Sequence, residues 1–130
     1  MLYFRAMQKD VLSVADLSPA TFGQLLDTAA ALQRDGTGQV LRGQTIALLF
    51  QKPSLRTRVS FSVAMVQLGG EAIYLAPDEV GLGTRESTQD VARVLSRLVQ
   101  AIVFRAFDHR DVEAMARCAT VPVINALSDA

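Results

Sequence analysis

Hydrophobic positions along the chain switch repeatedly between helical spacing and short unbroken runs. After the pair Ser18-Pro19, a favourable N-cap and first turn, apolar residues recur at helical spacing until Gly36, and this predicts an amphipathic helix. Residues 45–50 form a continuous apolar run, which is typical of a strand buried on both faces. A second helical pattern covers residues 59–68. Strand and helix are therefore separated by only a short turn.

The second half of the chain repeats this alternation. Ser87, with Asp90 three residues later, resembles a helix capping box in which aspartate replaces the usual glutamate. The buried stripe predicted for the helix that follows consists of Val91, Val94, Leu95 and Leu98. The other predicted elements are strands over residues 71–76, 101–104 and 121–124, a glycine-containing loop over 77–86 and a helix over 111–119.

Four strands that alternate with helices predict an α/β fold. We expect an open parallel four-stranded sheet with helices on both faces, in a three-layer α/β/α arrangement. In such sheets, ligands bind outside the carboxyl ends of the strands, where the strand order reverses. Residues 54–58 follow the first predicted strand, and Arg105 ends the third. We therefore expect these two basic elements to share one crevice.

Composition narrows the possible classes of function. The chain has 130 residues, is 50% hydrophobic and carries 13 basic and 13 acidic side chains. This composition is typical of one globular domain, which we assign to residues 1–130, and the zero net charge argues against a general nucleic-acid or membrane-surface binder. Cys118 is the single cysteine, and residues 1–10 lack the apolar run of a signal peptide, so we expect a cytoplasmic protein.

The turn Ser54-Leu55-Arg56-Thr57-Arg58 carries the clearest chemical signal. A strand that turns sharply into a helix directs unpaired backbone N–H groups, and the positive end of the helix dipole, at one place. Two arginines and two hydroxyls accompany those donors, and this combination favours a phosphate site. The alternative is a capped, solvated helix end. The sequence contains no GxxxxGK[ST] loop, which argues against an ordinary P-loop nucleotidase.

Three blocks of the sequence are distinctive. They are Phe-Gln-Lys-Pro-Ser-Leu-Arg-Thr-Arg-Val-Ser-Phe at 50–61, Leu-Gly-Thr-Arg-Glu-Ser at 82–87 with Asp-Val-Ala-Arg-Val-Leu-Ser-Arg at 90–97, and Val-Pro-Val-Ile-Asn-Ala-Leu-Ser-Asp at 121–129. The first resembles the carbamoyl-phosphate motif of the aspartate and ornithine carbamoyltransferase family. The other two are similar to the ornithine branch of that family. The resemblance covers most of the chain from about residue 12 onward.

The resemblance implies a role for each residue of the turn. Backbone N–H groups of Ser54, Leu55, Arg56 and Thr57 would hold the phosphate of carbamoyl phosphate, with the Arg56 guanidinium paired to its oxygens. Thr57 would reach the phosphate or the carbamoyl oxygen. Arg105 matches the family arginine that polarises the carbamoyl carbonyl, where it would stabilise the negative charge that develops as an amine attacks and phosphate leaves. The alternative for Arg105 is a surface residue at a strand end.

Arg85 matches the loop position that, in this family, reaches into the neighbouring subunit's site. The family is a homotrimer with sites at subunit boundaries, so the resemblance implies that Arg85 acts in trans. The alternative is an exposed loop charge. Two positions depart from the family pattern: Leu55 stands where threonine is usual, and Gly81 stands where glutamine or histidine is frequent. We expect these departures to change the affinity for carbamoyl phosphate more than the type of reaction.

The implied activity is that of an ornithine carbamoyltransferase, a transferase of amino-acid metabolism and arginine biosynthesis. It converts carbamoyl phosphate and L-ornithine into L-citrulline and phosphate, with no metal or organic cofactor. Family members continue after Ser128-Asp129 into a His-Pro-x-Gln segment and a second, amino-acid-binding domain, so we expect the chain alone to bind carbamoyl phosphate without useful turnover. The alternatives are an aspartate or acyl-ornithine carbamoyltransferase domain, or a noncatalytic trimer-forming binding module.

The remaining chemically notable residues favour structural roles. His109, the only histidine, has charged neighbours and is predicted to lie in a solvated turn. Cys118 falls late in a helix and is predicted to be a small core residue. Arg93 and Arg97, four residues apart, are predicted to form the solvated or subunit-facing side of their helix. The acidic residues between 71 and 79 form no recognisable metal-ligand pattern.

Overall fold

A parallel four-stranded sheet forms the centre of the computed structural model, which describes residues 9–129. The strand order is β2-β1-β3-β4, and all neighbouring pairs are parallel. This confirms the predicted open parallel sheet. The strands are β1 (Thr45–Phe50), β2 (Glu71–Leu75), β3 (Ala101–Arg105) and β4 (Val123–Asn125).

Helices alternate with these strands in chain order. After a short 3₁₀ turn at Val14–Asp16, they are α1 (Pro19–Asp35), α2 (Leu55–Gln67), α3 (Pro77–Val80), α4 (Thr88–Ser96) and α5 (His109–Cys118). The predicted start of α2 at residue 59 is wrong, because the helix already begins at residue 55. The segment predicted as a loop contains α3, whose first turn starts with a proline that is pre-organised for a helix. No helix among the described residues is both long and apolar enough to cross a membrane.

Two hydrophobic cores lie on opposite faces of the sheet, which confirms the three-layer arrangement. On one face, Leu49, Ile102 and Phe104 pack with buried residues of α4 and α5 such as Val91 and Met115. On the other face, residues of β1 and β3 pack against α2. That second core consists of Ile46, Leu48, Phe50, Met65 and Val103. β1 and β3 are buried on both faces because they occupy the middle of the sheet, and this explains their unbroken apolar sequences.

Helix α1 forms where the sequence predicts it, but its apolar stripe is not buried. Ser18 caps the helix, with its hydroxyl accepting a hydrogen bond from the Thr21 N–H at 3.1 Å. None of the helix residues is buried, and the side chains of Phe22, Leu25 and Leu26 are 43%, 39% and 57% exposed. Within the described residues, α1 therefore contributes to neither core.

The face that α4 buries also differs from the prediction. Ser87 caps the helix as expected, accepting from the Asp90 N–H at 3.1 Å, but the Asp90 carboxylate pairs with Arg93 instead of completing a capping box. Val94 and Leu98, predicted to be buried, are 56% and 68% exposed. Val91 is buried and Leu95 packs against the core, as predicted, and Thr88 and Ala92 are buried beside them. The buried residues follow helical spacing, as predicted, but the buried face is rotated by one residue position about the helix axis.

Residues 1–8 and 130 lie outside the described part of the chain. The expectation drawn from the first ten residues, that no signal peptide is present, falls mainly on them and stays a prediction.

Candidate functional site

The strand order reverses between β1 and β3, and in open parallel sheets such a reversal creates a crevice at the carboxyl ends of the two strands. The chain passes from β1 to β2 on one side and then to β3 on the other, with Phe50 opposite Arg105 in the β1–β3 register. The Gln51 N–H donates to the Arg105 carbonyl oxygen at 2.8 Å, and the Gln51 side-chain oxygen accepts from the Phe107 N–H at 2.8 Å. Two hydrogen bonds therefore tie the turn after β1 to the chain after β3, while a ligand site shared by the two basic elements stays a prediction.

The first turn of α2 has an uncapped N-terminus. Ser54 is the N-cap residue, with extended backbone at φ −152°, yet its side chain accepts no hydrogen bond from the helix backbone. Its hydroxyl instead bonds the Thr57 hydroxyl at 3.0 Å. The N–H groups that begin a helix need a partner from outside the helix. With Ser54 turned away from them, those of Leu55, Arg56 and Thr57 are left for a ligand, at the positive end of the helix dipole.

The side chains of this turn differ in exposure. Leu55 is 76% exposed, and Arg56 is exposed as well, while Ser54 and Thr57 are half-buried. Leu55 can thus supply only its backbone N–H to an anion. The Arg56 side chain lies exposed at the start of the helix, so its guanidinium can move toward a ligand.

Arg105 lies at the other side of the crevice and is half-buried. One terminal nitrogen, Nη1, donates to the Ala126 carbonyl oxygen at 3.3 Å. The Nε–H is buried and has no hydrogen-bond partner among residues 9–129. A buried donor without a partner costs about 1–3 kcal/mol, so an oxygen that reached it would gain a strong bond. The strand-end arginine is therefore a poor candidate for an ordinary surface charge.

Arg58, the second arginine of the turn, stacks on an aromatic ring of the neighbouring strand. Its guanidinium carbon lies 3.7 Å from the centre of the Tyr74 ring in β2. A guanidinium is weakly hydrated for a cation, so stacking on an aromatic face stabilises it. The contact gives Arg58 a structural partner within the chain, so we expect Arg56 to be the arginine that pairs with an anion.

Lys52 is a cationic residue of the crevice that the sequence analysis did not single out. Its Nζ lies 3.0 Å from a carboxylate oxygen of Asp129 and 5.0 Å from the centre of the Phe107 ring. The ion pair links the turn after β1 to the chain after β4. A lysine directly before a Pro-Ser turn was the only sequence signal, and its partner lies 77 residues away.

Arg85 lies in the segment between α3 and α4 and is bonded to the backbone of α3. Its Nη2 donates to the Glu79 carbonyl oxygen at 2.5 Å and approaches that of Asp78 at 3.5 Å, at the end of α3. It also lines a cavity of about 500 Å³ between α3 and α4. Gly81, with φ +63°, lies directly beneath it, and a β-carbon there would come within 2.8 Å of the Arg85 Nε. The side-chain hydrogen bonds of Arg85 within the described residues go to α3, and none joins it to the α2 turn.

His109 is not in a solvated turn. It is the half-buried first residue of α5, and its Nδ1 lies 2.8 Å from the Ser128 hydroxyl. Cys118 is half-buried and packs against the core formed by α4 and α5, as predicted. Arg93 and Arg97 are exposed on α4 and just after it, as predicted.

Asp108 caps α5 and is the one acid whose pKa is clearly moved within the described part of the chain. Side-chain hydrogen bonds from Arg110, followed by the Arg110 backbone N–H, lower its pKa from 3.8 to about 2. The same partnership raises the pKa of the Arg110 guanidinium.

Residues 9–129 hold no cluster of three or more histidine, cysteine or acidic side chains that could bind a metal ion.

Sequence comparison assigns the chain to a known domain family. Residues 9–130 match the family model described as the aspartate/ornithine carbamoyltransferase carbamoyl-P binding domain. The chain belongs to this family. The match includes both the α2 turn and β3, so the resemblance stated from three blocks extends to nearly the whole chain.

Curated relatives and solved structures agree with this assignment. The chain is 51% identical over 124 residues to ornithine carbamoyltransferase of Thermus thermophilus, covering 95% of this chain and 41% of the relative. It is 49% identical to the anabolic ornithine carbamoyltransferase of Pyrococcus furiosus, over 93% of this chain and 40% of that relative. The chain therefore spans about two fifths of the length of these relatives. The crystal structure of the Thermus enzyme superposes with a TM-score of 0.88, over 43% of its chain.

The family members of similar structure include a second acceptor type. A crystal structure of N-acetyl-L-ornithine transcarbamylase is 38% identical and superposes with a TM-score of 0.84, covering 93% of this chain and 43% of its own. The carbamoyl-P binding domain is therefore shared between proteins with different names for the acceptor. Similarity in this domain therefore indicates the carbamoyl donor more strongly than the amine that accepts the carbamoyl group.

Proposed function

We propose that the crevice between β1 and β3 binds carbamoyl phosphate and forms the donor site of an ornithine carbamoyltransferase. In this reaction, carbamoyl phosphate and L-ornithine give L-citrulline and phosphate. Residues 1–130 are proposed to make up the carbamoyl-phosphate-binding domain. The proposed ligand contacts come from the α2 turn and from Arg105.

One observation carries the proposal. The uncapped first turn of α2 and the unsatisfied Nε–H of Arg105 lie at the ends of adjacent strands, tied by the hydrogen bond between Gln51 and Arg105. A phosphoryl group needs several N–H donors and a guanidinium, and a carbonyl that is about to be attacked needs a donor at its oxygen. Carbamoyl phosphate presents both groups only a few bonds apart. The crevice offers a matching donor set on its two sides.

The chemistry proposed for each side follows from the charges. Backbone N–H groups of Leu55, Arg56 and Thr57, with the Arg56 guanidinium, hold the phosphate, and Thr57 contributes its hydroxyl. Arg105 donates to the carbamoyl oxygen. As the neutral amine attacks the carbonyl carbon, negative charge grows on that oxygen and then on the departing phosphate. Both are placed against cationic donors, so Arg105 and Thr57 act on the reacting atoms.

Ornithine is the proposed acceptor because of the relatives' names and their identities. The first eight curated relatives are all ornithine carbamoyltransferases, at 44–51% identity, whereas the N-acetyl-L-ornithine transcarbamylase structure is 38% identical. Assay of L-ornithine, N-acetyl-L-ornithine and L-aspartate with the full-length protein separates these acceptors. A preference for either of the last two would overturn this part of the proposal.

The assembly and setting are proposed from the same family resemblance. We place the protein in the cytoplasm, in arginine biosynthesis, as a homotrimer in which Arg85 reaches a neighbouring subunit's donor site. The exposure of Arg85, in the loop between α3 and α4, supports a contact with a neighbouring subunit. Analytical ultracentrifugation tests the trimer, and mixing of Arg85→Ala chains with Arg56→Ala chains tests the action in trans. Restored carbamoyl-phosphate binding in the mixture is the expected result, because some sites then combine an intact Arg56 with a neighbour's intact Arg85.

Titration calorimetry with carbamoyl phosphate tests the donor site directly. Arg56→Ala removes a charged hydrogen bond, so we expect the affinity to fall by at least tenfold, since such bonds are worth about 1.5–3 kcal/mol. Arg97→Ala is the matched control, because it removes an exposed arginine far from the crevice. Circular dichroism checks that both variants fold.

The competing candidate is a binding module that only builds a trimer. It predicts that Arg56→Ala leaves carbamoyl-phosphate binding unchanged. Equal affinities for the unaltered chain and both arginine variants would therefore overturn the proposed donor site.

A further inference from the structure

A single protein acceptor fixes the direction of the Arg105 guanidinium. Among residues 9–129, its only hydrogen bond runs from Nη1 to the Ala126 carbonyl oxygen, at 3.3 Å, while the buried Nε–H has none. A guanidinium is a rigid plane of five N–H donors, so one fixed donor limits where the others point. The direction of Arg105 therefore depends on where the backbone after β4 places the Ala126 carbonyl.

That backbone adopts an uncommon conformation directly after Ala126. Leu127 has φ +107°, a region that favours glycine, and it is the only such non-glycine residue in the described part of the chain. A backbone of this kind persists only when the surrounding structure holds it. Two bonds tie it to the end of β3: the Ala126 N–H donates to the Phe104 carbonyl oxygen at 2.8 Å, and the Leu127 carbonyl oxygen accepts from the Ala106 N–H at 3.2 Å.

Asn125 supplies the side chain that holds this turn from within. Its Oδ1 accepts from the Leu127 N–H at 3.0 Å. Its Nδ2 donates to the Leu12 carbonyl oxygen at 2.9 Å and to the Ser128 hydroxyl at 3.1 Å. The half-buried Asn125 amide thus bonds both Leu127 and Ser128 and links them to the backbone of Leu12.

His109 completes the arrangement from α5. Its Nδ1 lies 2.8 Å from the Ser128 hydroxyl, and its backbone N–H donates to the Asp129 carbonyl oxygen at 3.0 Å. The Ser128 hydroxyl therefore bonds Asn125 and His109 at once, and the direction of its bond with Nδ1 depends on the histidine tautomer. His109, the first residue of α5, therefore holds Ser128 and Asp129 at the end of the same turn.

We propose that Asn125, Ser128 and His109 form a positioning network that aims the Arg105 guanidinium into the crevice through the Ala126 carbonyl. The network rests on the proposed function only for the identity of the ligand that Arg105 meets. None of its three members touches the reacting atoms. Their contribution is to fix one donor of Arg105 before the ligand arrives.

The exchange rate of the Arg105 Nε–H with solvent, measured by NMR on the unliganded chain, tests the network without any ligand. Asn125→Ala is expected to speed this exchange by about tenfold, because it removes one to two hydrogen bonds that hold the turn. The Nε–H of Arg58, which stacks on Tyr74 outside the network, is the internal control and should keep its rate. An unchanged rate at Arg105 would overturn the proposal. If Asn125→Ala fails to fold, Ser128→Ala gives the same test, and Ser128→Thr, which keeps the hydroxyl, is expected to restore slow exchange.

A double-mutant cycle then separates this network from the donor site itself. Asn125→Ala is expected to weaken carbamoyl-phosphate binding by about tenfold in the unaltered chain and by less than about twofold in an Arg105→Met background, because its effect passes through Arg105. Equal losses in both backgrounds would overturn the network and leave the proposed donor site intact. Absence of carbamoyl-phosphate binding by the unaltered chain would overturn the donor site, and the exchange measurement still decides the network.

Discussion

The Arg58 guanidinium stacks 3.7 Å above the centre of the Tyr74 ring, which joins the first turn of α2 to the edge strand β2. Two neighbouring arginines of one turn thus have different tasks. Arg58→Ala is expected to lower the free energy of unfolding by about 0.5–2 kcal/mol, the range of a cation–π contact, and to leave carbamoyl-phosphate affinity within about twofold. Urea unfolding and calorimetry measure the two effects.

Arg56→Ala is the matched comparison, with the opposite expected pattern of lost affinity and retained stability. Equal losses of affinity in the two variants would contradict this division of tasks and would place both guanidinium groups on the anion.

Leu55 offers a change that should strengthen binding. Its side chain is 76% exposed at the start of α2, so replacing it disturbs no core packing. Leu55→Thr adds a hydroxyl beside the free N–H groups, and one further hydrogen bond worth about 0.5–1.5 kcal/mol should improve carbamoyl-phosphate affinity by about two- to tenfold. Leu55→Val, which has nearly the shape of threonine without the hydroxyl, is the control for titration calorimetry. Equal affinities of these two variants would count against a ligand oxygen within reach of residue 55.

Gly81 and Gly83 form a matched pair for testing the resting place of Arg85. Both have positive φ, at +63° and +82°, so alanine at either position costs about 1–2 kcal/mol of backbone strain. Only at Gly81 does the added β-carbon meet a neighbour, the Arg85 Nε at 2.8 Å. Gly81→Ala should therefore destabilise the chain more than Gly83→Ala in urea unfolding, and it should displace the guanidinium from α3. Identical unfolding curves would show that Arg85 rests elsewhere.

Asp108 should titrate well below an ordinary aspartate. Arg110 lowers its pKa from 3.8 to about 2, so the charged carboxylate stabilises the folded chain above pH 3.8, and this contribution is lost as the pH falls through about 2. Arg110→Gln keeps the backbone N–H bond but removes the side-chain bonds, so the pKa should rise part of the way toward 3.8. Carboxyl ¹³C shifts followed by NMR measure both midpoints, and the difference should shrink in high salt because the pair is exposed. A midpoint near 3.8 in the unaltered chain would contradict the pairing.

Much of the fold could be predicted because its signals are local. The strands β1 and β3 are buried on both faces, and this shows in the sequence as unbroken apolar runs. The predicted start of α2 falls four residues late because the first turn carries the polar run Arg56-Thr57-Arg58, which interrupts the apolar periodicity. In α4, two stripes fit helical spacing equally well. The choice of the stripe with Thr88 and Ala92 depends on close approach of the helix to the sheet, and no local signal reveals that.

The site was less predictable, because its decisive contacts join distant parts of the chain. The turn of α2 and Arg105 could be found from their positions after strands. The withdrawal of Arg58 depends on Tyr74, and the role of Lys52 depends on Asp129. His109 looked solvated because its neighbours in sequence are charged, whereas its partner Ser128 comes from a different strand end.

The exposed stripe of α1 means that this helix and the sheet need not unfold together. Seventeen residues form the helix, and none of them is buried within the described part of the chain, so its stability comes mainly from its own hydrogen bonds and its Ser18 cap. Isolated helices of that length are marginal in water. Backbone amides of α1 should therefore exchange with deuterium through local opening, orders of magnitude faster than those of β1 and β3, which exchange only when the whole sheet opens.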